Sequence, residues 1–93
     1  MAKQRERRTV HFAGRVQGVG FRYTTASIAQ GHDVTGFVQN LPDGRVLLVA
    51  EGNASALGAF LAEIRQRMGS YIRQELTDVS AVTGEFADFS IRH

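Results

Sequence analysis

Hydrophobic and polar side chains alternate between residues 9 and 16, as they do in a β-strand with one buried face. The two sides of this predicted strand are Val10, Phe12 and Val16, and Thr9, His11 and Arg15. Beyond a glycine-rich stretch, the i, i+4, i+7 and i+8 spacing of an amphipathic helix is met by Phe21, Thr25, Ile28 and Ala29. The pattern therefore predicts a strand followed by a helix that ends near Gly31.

A β-hairpin is predicted next, with strands over residues 34–39 and 45–51. Between them, Pro42 and Gly44 occupy the second and fourth positions of the sequence LPDG. These are the positions that proline and glycine favour in a type I turn, so the two strands are expected to pair with each other.

A second amphipathic helix follows the hairpin, and either Asn53 or Ser55 can cap its N-terminus. We expect this helix to end near Gly69. Its apolar face is formed by Leu57, Phe60, Leu61, Ile64 and Met68.

The last part of the chain shows a weaker pattern. Residues 79–86 read as a strand, and Phe89 and Ile91 suggest a short final one, whereas residues 69–78 give no clear assignment. The predicted order is βαββαβ, with a possible terminal strand. It is an α+β arrangement of the ferredoxin-like, split βαβ type, in which an antiparallel sheet carries two helices on one face. This fold serves unrelated binders and enzymes, so function has to be argued from individual residues.

Composition narrows the possible chemistry. The chain has 93 residues, which suits one domain, and no cysteine, which excludes disulfides, thiolate ligands and a thiol nucleophile. Its three histidines, His11, His32 and His93, are scattered, so we expect neither a metal site nor a cofactor. Without an apolar run long enough for a signal peptide or a membrane span, a cytoplasmic protein is expected.

The net charge of +2 is unevenly distributed. Residues 1–8 hold four Lys or Arg and Glu6, whereas residues 9–93 hold seven Lys or Arg against eight Asp or Glu. We therefore predict a flexible basic N-terminal arm over residues 1–8 and a single domain over residues 9–93. Because no basic face is evident beyond the arm, we expect no nucleic-acid partner, and because no exposed apolar stripe stands out, we expect a monomer.

The sequence GRVQGVGFR, residues 14–22, is the first candidate for chemistry. Glycines at this strand-to-helix turn let successive N–H groups point inward, and the start of the helix adds positive potential, so the turn can bind an anion. Arg22 adds a planar cation that can bind two phosphoryl oxygens. A tight turn with Arg22 paired to a surface acid is the plainer alternative. The loop matches neither the nucleotide P-loop nor the dinucleotide-binding pattern.

A second motif, GFVQN followed by a DG turn, raises the specificity of the first. Together the two motifs resemble the signature of the acylphosphatase family, which combines VQGV-x-FR, a helical threonine, G-aromatic-V-x-N and a DG turn. The matching residues are Val16, Gln17, Gly18, Val19, Phe21, Arg22, Thr25, Gly36, Phe37, Val38, Gln39, Asn40, Asp43, Gly44 and Val46. The resemblance is strong from about residue 10 to residue 52 and weaker beyond.

This resemblance implies hydrolysis of small acyl phosphates without a metal, with Arg22 and Asn40 as the catalytic residues. Arg22 would bind the phosphoryl group and the Asn40 amide would orient the attacking water. Since the carboxylate leaving group is a weak base, no strong general acid is required. The implied substrate-binding residues of the phosphate-binding loop and helix are Gln17, Gly18, Val19, Gly20, Phe21 and Thr25. From the sequence alone, Thr25 could equally bond its own helix.

Three departures from the family pattern stand out. Gly20 replaces a bulkier residue, Phe37 replaces the usual tryptophan, and residues 68–76 lack the common Gly-Pro loop. In that segment Tyr71 and Arg73 could contact the acyl group, although packing or surface roles are favoured. The GVGFR sequence also resembles the acylphosphatase-like domain of the much larger hydrogenase-maturation carbamoyltransferases.

An alternative from a different class is a catalytically inactive module that binds an anion or a nucleic acid. RNA-binding sheets of related topology display aromatic side chains on central strands, where His11 and Phe37 are predicted to lie. The chain lacks the accompanying RNA-binding sequence pattern.

Overall fold

The computed structural model describes residues 4–93. Its elements in chain order are β1 (Arg5–Gly14), α1 (Phe21–Ala29), β2 (Thr35–Asn40), β3 (Val46–Asn53), α2 (Ala54–Met68), a 3-10 turn (Gly69–Tyr71), β4 (Ile72–Ser80) and β5 (Phe89–Arg92). The predicted α+β, ferredoxin-like fold is confirmed, including both helices and the short last strand.

The strands form one five-stranded sheet in the order β4-β1-β3-β2-β5. The pairs β1–β3, β1–β4 and β2–β3 are antiparallel, as predicted. However, β5 lies parallel to β2, with Val38 opposite Ile91, so the expectation of a wholly antiparallel sheet is wrong. The loop before β5 crosses the sheet face away from the helices, where Thr83 and Gly84 bond to Glu51 on β3 and Phe86 packs on Phe37 of β2. The chain thereby reaches the far edge of the sheet, where β5 runs in the same direction as β2.

The core lies between one face of the sheet and the two helices. Strand residues at alternate positions, such as Val10, Phe12 and Leu48, are fully buried against the helices. From the helices, the buried residues are those of the predicted inner faces: Phe21, Thr25, Ile28, Ala29, Leu57, Phe60, Leu61, Ile64 and Met68. Burial of these side chains drives the helices onto the sheet and so fixes the position of the N-terminus of α1.

Two local predictions about turns and caps are confirmed. The LPDG sequence forms the expected turn, in which the Gly44 N–H donates to the Leu41 carbonyl at 3.1 Å. Asn53 caps α2, because its side-chain oxygen accepts from the Ala56 N–H at 2.8 Å. Both signals are local, and both follow from side-chain chemistry close to the backbone groups that they satisfy.

The predicted N-terminal arm is wrong for residues 5–8, and residues 1–3 lie outside the described residues. Strand β1 begins at Arg5, and Arg5 to Arg8 pair with the end of β3. The charged side chain of Arg7 is stabilised there because its Nε donates to the buried carboxylate of Glu51 at 2.8 Å. The charged residues 5–8 can therefore form a strand. The local sequence did not indicate this, because the carboxylate that pairs with Arg7 belongs to Glu51, 44 residues away.

The strand predicted over residues 79–86 is also wrong: β4 spans Ile72–Ser80, and residues 81–86 form a loop. Strand β4 lies at the edge of the sheet, and most of its side chains are exposed. An edge strand with two solvated sides shows little alternation of polar and apolar residues, so its sequence carries little signal. Strand β1 ends at Gly14, two residues before the predicted end at Val16.

Candidate functional site

The loop between β1 and α1 is held in a conformation that requires glycine. Gly18 and Gly20 have φ angles of 77° and 78°, in the left-handed region that other residues rarely adopt. A Cβ atom at either position would meet nothing within 4 Å, so the backbone angle rather than lack of space selects glycine. Gly20 immediately precedes α1, and no side chain caps the helix there.

The N-terminus of α1 therefore presents free hydrogen-bond donors. Within residues 4–93, the backbone N–H groups of residues 17–22 donate to no protein acceptor. The first N–H groups of a helix carry partial positive charge and attract anions. The loop and the start of α1 thus offer a row of donors to one negatively charged group.

Gln17 ties this loop to the β2–β3 turn. Its Nε2 donates to the Leu41 carbonyl at 2.8 Å and to the Arg45 carbonyl at 3.0 Å. The predicted contact of Gln17 with a substrate is therefore left to its backbone N–H, because its side chain is used in fixing the loop. This bond brings the end of β2, where Asn40 lies, next to the start of α1.

Arg22 lies in the first turn of α1 and is partly anchored by the end of the sheet. Its Nη1 lies 3.3 Å from the Arg92 carbonyl, to which it donates, and 3.2 Å from Nδ1 of His93. Within residues 4–93 its Nε and Nη2 have no acceptor. The guanidinium is held on one side and keeps donors free on the other.

Asn40 is the last residue of β2 and is half-buried. Its Oδ1 is buried and has no hydrogen-bond partner within the described residues. The opposite end of the amide, Nδ2, is consequently the end that a molecule in the adjacent cleft can reach. Asn40 can therefore donate a hydrogen bond into the cleft.

The cleft at the N-terminus of α1 has a volume of about 190 Å³. Of its lining residues, Arg22 is the one that carries a charge, so the cleft suits a small anion. Sequence patterns did not indicate the contribution of Tyr23, whose side chain is largely exposed on the turn that follows Arg22. The lining residues are Val16, Gly18, Gly20, Phe21, Arg22, Tyr23 and Asn40.

Several residues that the sequence suggested do not line this cleft. The side chain of Val19 is partly buried and packs against the hydrophobic core. Thr25 is fully buried behind the cleft, and its Oγ1 has no partner within residues 4–93. Tyr71 and Arg73 are likewise absent from the lining; the Tyr71 carbonyl instead accepts from the Arg15 N–H at 2.9 Å.

Phe37 lies on the opposite face of the sheet from the helices. Its ring lies 3.8 Å from the guanidinium carbon of Arg92 and contacts Phe86 at a centroid distance of 5.9 Å. It therefore supports β5, whose end holds Arg22, rather than the cleft itself. This packing accounts for an aromatic residue at this position without a requirement for tryptophan.

Within the part of the chain that the structure describes, neither helix is long and apolar enough to cross a membrane. The model of the family described as Acylphosphatase matches residues 8–91.

Similar proteins agree with this match. A curated acylphosphatase from Methylococcus capsulatus is 51% identical over 81 residues, which cover 85% of this chain and 87% of that protein. One from Ligilactobacillus salivarius is 38% identical over 81 residues, covering 86% of this chain and 90% of that protein.

Solved structures extend the comparison to three dimensions. Acylphosphatase from Bacillus subtilis has a TM-score of 0.85 and 30% identity, covering 95% of this chain and 99% of that one. Full-length HypF in its phosphate- and nucleotide-bound form gives a TM-score of 0.88 and 32% identity over the whole of this chain, but only 12% of HypF is covered. Taken with the family match over residues 8–91, these similarities show that the chain belongs to the acylphosphatase family.

Proposed function

We propose that this protein hydrolyses the bond between the carboxyl and phosphoryl groups of small acyl phosphates, releasing a carboxylate and inorganic phosphate. The observation that carries the proposal is the shared cleft of Arg22 and Asn40 at the N-terminus of α1. Membership of the acylphosphatase family supports the same reaction class.

The phosphoryl group binds where the partial positive charges of the backbone N–H groups meet the full charge of Arg22. Backbone N–H groups of residues 17–22 surround its oxygens, and the free Nε and Nη2 of Arg22 donate to two of them. Both kinds of donor are in place before the substrate arrives, so little reorganisation is needed as negative charge develops in the transition state. The anchor on the Arg92 carbonyl limits the movement of the guanidinium.

Asn40 holds the attacking water. Its Nδ2 donates to the water oxygen, which keeps a second lone pair for attack on phosphorus. A new bond forms between the water oxygen and phosphorus while the bond from phosphorus to the carboxyl oxygen breaks. The bonding electron pair leaves with the carboxylate, and a water proton passes to the phosphate product. Because a carboxylate is stable without protonation, the reaction needs no general acid.

The volume of about 190 Å³ suits a phosphoryl group with a small acyl chain. The exposed ring of Tyr23 lies at the cleft and is available to contact the acyl portion of the substrate.

We also propose that the protein acts in the cytoplasm as a monomer with one domain, without a nucleic-acid partner. The lack of cysteine agrees with a reducing compartment.

Hydrolysis of benzoyl phosphate in water labelled with oxygen-18 tests the proposal. Attack on phosphorus places the label in the phosphate, whereas attack on the carbonyl carbon places it in benzoate. We expect label in phosphate and a rate that EDTA does not change. Label in benzoate would contradict the mechanism, and binding of phosphate without any turnover would instead support an inactive anion-binding module.

A further inference from the structure

Thr25 and Asn40 each carry a buried oxygen that has no hydrogen-bond partner within residues 4–93. These oxygens are Oγ1 of Thr25, a residue with 0% exposure, and Oδ1 of Asn40. Buried polar atoms are nearly always paired in native proteins, because loss of water without a replacement partner is unfavourable. Two unpaired atoms on neighbouring elements therefore need an explanation.

The topology places both side chains between helix α1 and the sheet. Strands β1 and β2 both pair antiparallel with β3 and so run in the same direction. Helix α1 returns between them, antiparallel to β2, which places its first turn beside Asn40; Phe21, Arg22 and Asn40 accordingly line one cleft. Thr25 lies one turn after Phe21 on the buried face of α1.

The two groups are chemically complementary. A threonine hydroxyl can donate a hydrogen bond, whereas the oxygen of an asparagine amide can only accept one. A helical threonine often donates to the carbonyl four residues earlier, but the hydroxyl of Thr25 makes no such bond here. The hydroxyl is thus free for a partner outside its own helix.

We propose that Thr25 is a positioning residue whose hydroxyl donates to one buried water molecule, which in turn donates to Oδ1 of Asn40, because the two side-chain oxygens make no direct hydrogen bond. This water bridge holds the amide with Nδ2 toward the cleft. If the amide turned over, Oδ1 would face the phosphoryl oxygens and repel them, and the attacking water would lose its donor. The inference rests on the proposed function, and it assigns Thr25 a role behind the cleft rather than in contact with substrate.

Replacement of Thr25 by valine tests this role, since valine keeps the shape and removes the hydroxyl. For benzoyl phosphate, we expect kcat of Thr25→Val to fall about tenfold, while KM stays within about twofold because Arg22 and the N–H groups are unchanged. Thr25→Ser should recover most of the lost rate. Thr24→Val, on the adjacent position of the same helix, is the matched control and should behave like the wild type.

A double substitution separates positioning from a general structural effect. In the Asn40→Ala background, Thr25→Val should cause no further loss, because the group that it positions is gone. An equal tenfold loss in that background, or an unchanged kcat in the single variant, would overturn the proposal.

A measurement that does not depend on turnover distinguishes failure of this inference from failure of the proposed function. The side-chain amide signals of Asn40 in a proton–nitrogen NMR spectrum should move in Thr25→Val and stay near their wild-type positions in Thr25→Ser. If the wild type does not hydrolyse acyl phosphates, the proposed function fails while this comparison still tests the contact. Signals that are unmoved in Thr25→Val would show that the hydroxyl does not reach Asn40.

Discussion

The side chain of Arg22 is anchored to the end of the sheet and still has donors free to bind a ligand. One terminal nitrogen is within hydrogen-bond distance of the Arg92 carbonyl and His93, and the remaining donors face the cleft. A guanidinium can do this because its five N–H groups lie in a fixed plane and point in different directions. An ammonium group has the same charge but lacks that geometry, so charge and shape can be tested separately.

Arg22→Lys is predicted to lower kcat/KM for benzoyl phosphate about 100-fold, as expected for loss of a preorganised donor. The lysine ammonium can satisfy the Arg92 carbonyl or the phosphoryl group, but it cannot reproduce the two-sided contact. Steady-state kinetics give the measurement. Arg67→Lys on the exposed face of α2, where Arg67 pairs with Glu63 at 3.1 Å, is the control and should leave the rate unchanged. Full activity of Arg22→Lys would mean that positive charge alone suffices.

Gly36 is required for close packing of β2 against β3. Its φ is 143°, and a Cβ atom would lie 1.8 Å from the Val49 carbonyl oxygen. We predict that Gly36→Ala lowers the free energy of unfolding by about 3 kcal/mol or more, since the backbone must move. Gly58→Ala in α2, where a Cβ meets nothing within 4 Å, should raise it by up to about 1 kcal/mol. Urea denaturation measures both; equal stability of the two variants would contradict the steric argument.

At the scale of elements, a buried carboxylate fastens the loop before β5 to the sheet. Oε2 of Glu51 on β3 accepts from the Thr83 N–H at 3.0 Å and the Thr83 hydroxyl at 2.9 Å, and its Oε1 accepts from the Gly84 N–H at 3.0 Å. Arg7 on β1 donates to Oε2 at 2.8 Å. Burial by itself raises the pKa of Glu51, but these hydrogen bonds outweigh it and lower the pKa to about 2.

The depressed pKa predicts a stability that depends on pH. The folded pKa lies below the usual 4.5, so the contribution of Glu51 is present above pH 4.5 and is lost as the pH falls through 2. We expect the difference in unfolding free energy between wild type and Glu51→Gln to narrow by about 3 kcal/mol from pH 6 to pH 2. Denaturant titrations at several pH values measure it.

Comparison with Glu51→Gln isolates this group, because the other carboxylates, including Asp43 and Glu63, titrate in both proteins. The pKa of Asp43 is lowered chiefly by the Arg45 N–H, and that of Glu63 chiefly by its hydrogen bond from His32. A stability difference that stays constant across the same pH range would show that the Glu51 carboxylate is not held as described.

Elements with two distinct faces were predictable from sequence, and those without were not. The α2 helix carries an apolar stripe and a side-chain cap, and its bounds at Ala54–Met68 agree with the prediction. Strand β4 lies at the exposed edge and shows no such pattern, and the start of β1 is a charged segment whose partner, Glu51, is 44 residues away from Arg7. Long-range pairing of this kind leaves no local trace in the sequence.

For the whole molecule, sequence motifs predicted which residues meet but not what supports them. The two motifs predicted Arg22 and Asn40, and the fold places both at one cleft. The backbone of Arg92 and the ring of His93 reach Arg22 only because β5 runs parallel to β2, and no motif encodes that arrangement. The helical spacing placed Thr25 on the buried face of α1, as observed, but no motif indicated that its hydroxyl would lack a partner on its own helix.

Kinetics of Arg22→Ala and Asn40→Ala show whether these two side chains together catalyse hydrolysis of an acyl phosphate. Both variants must first be shown to be folded by circular dichroism. Each variant is expected to lose at least about 100-fold in kcat/KM for benzoyl phosphate, while the wild type turns over with or without EDTA. Folded variants that retain wild-type rates would contradict these catalytic roles.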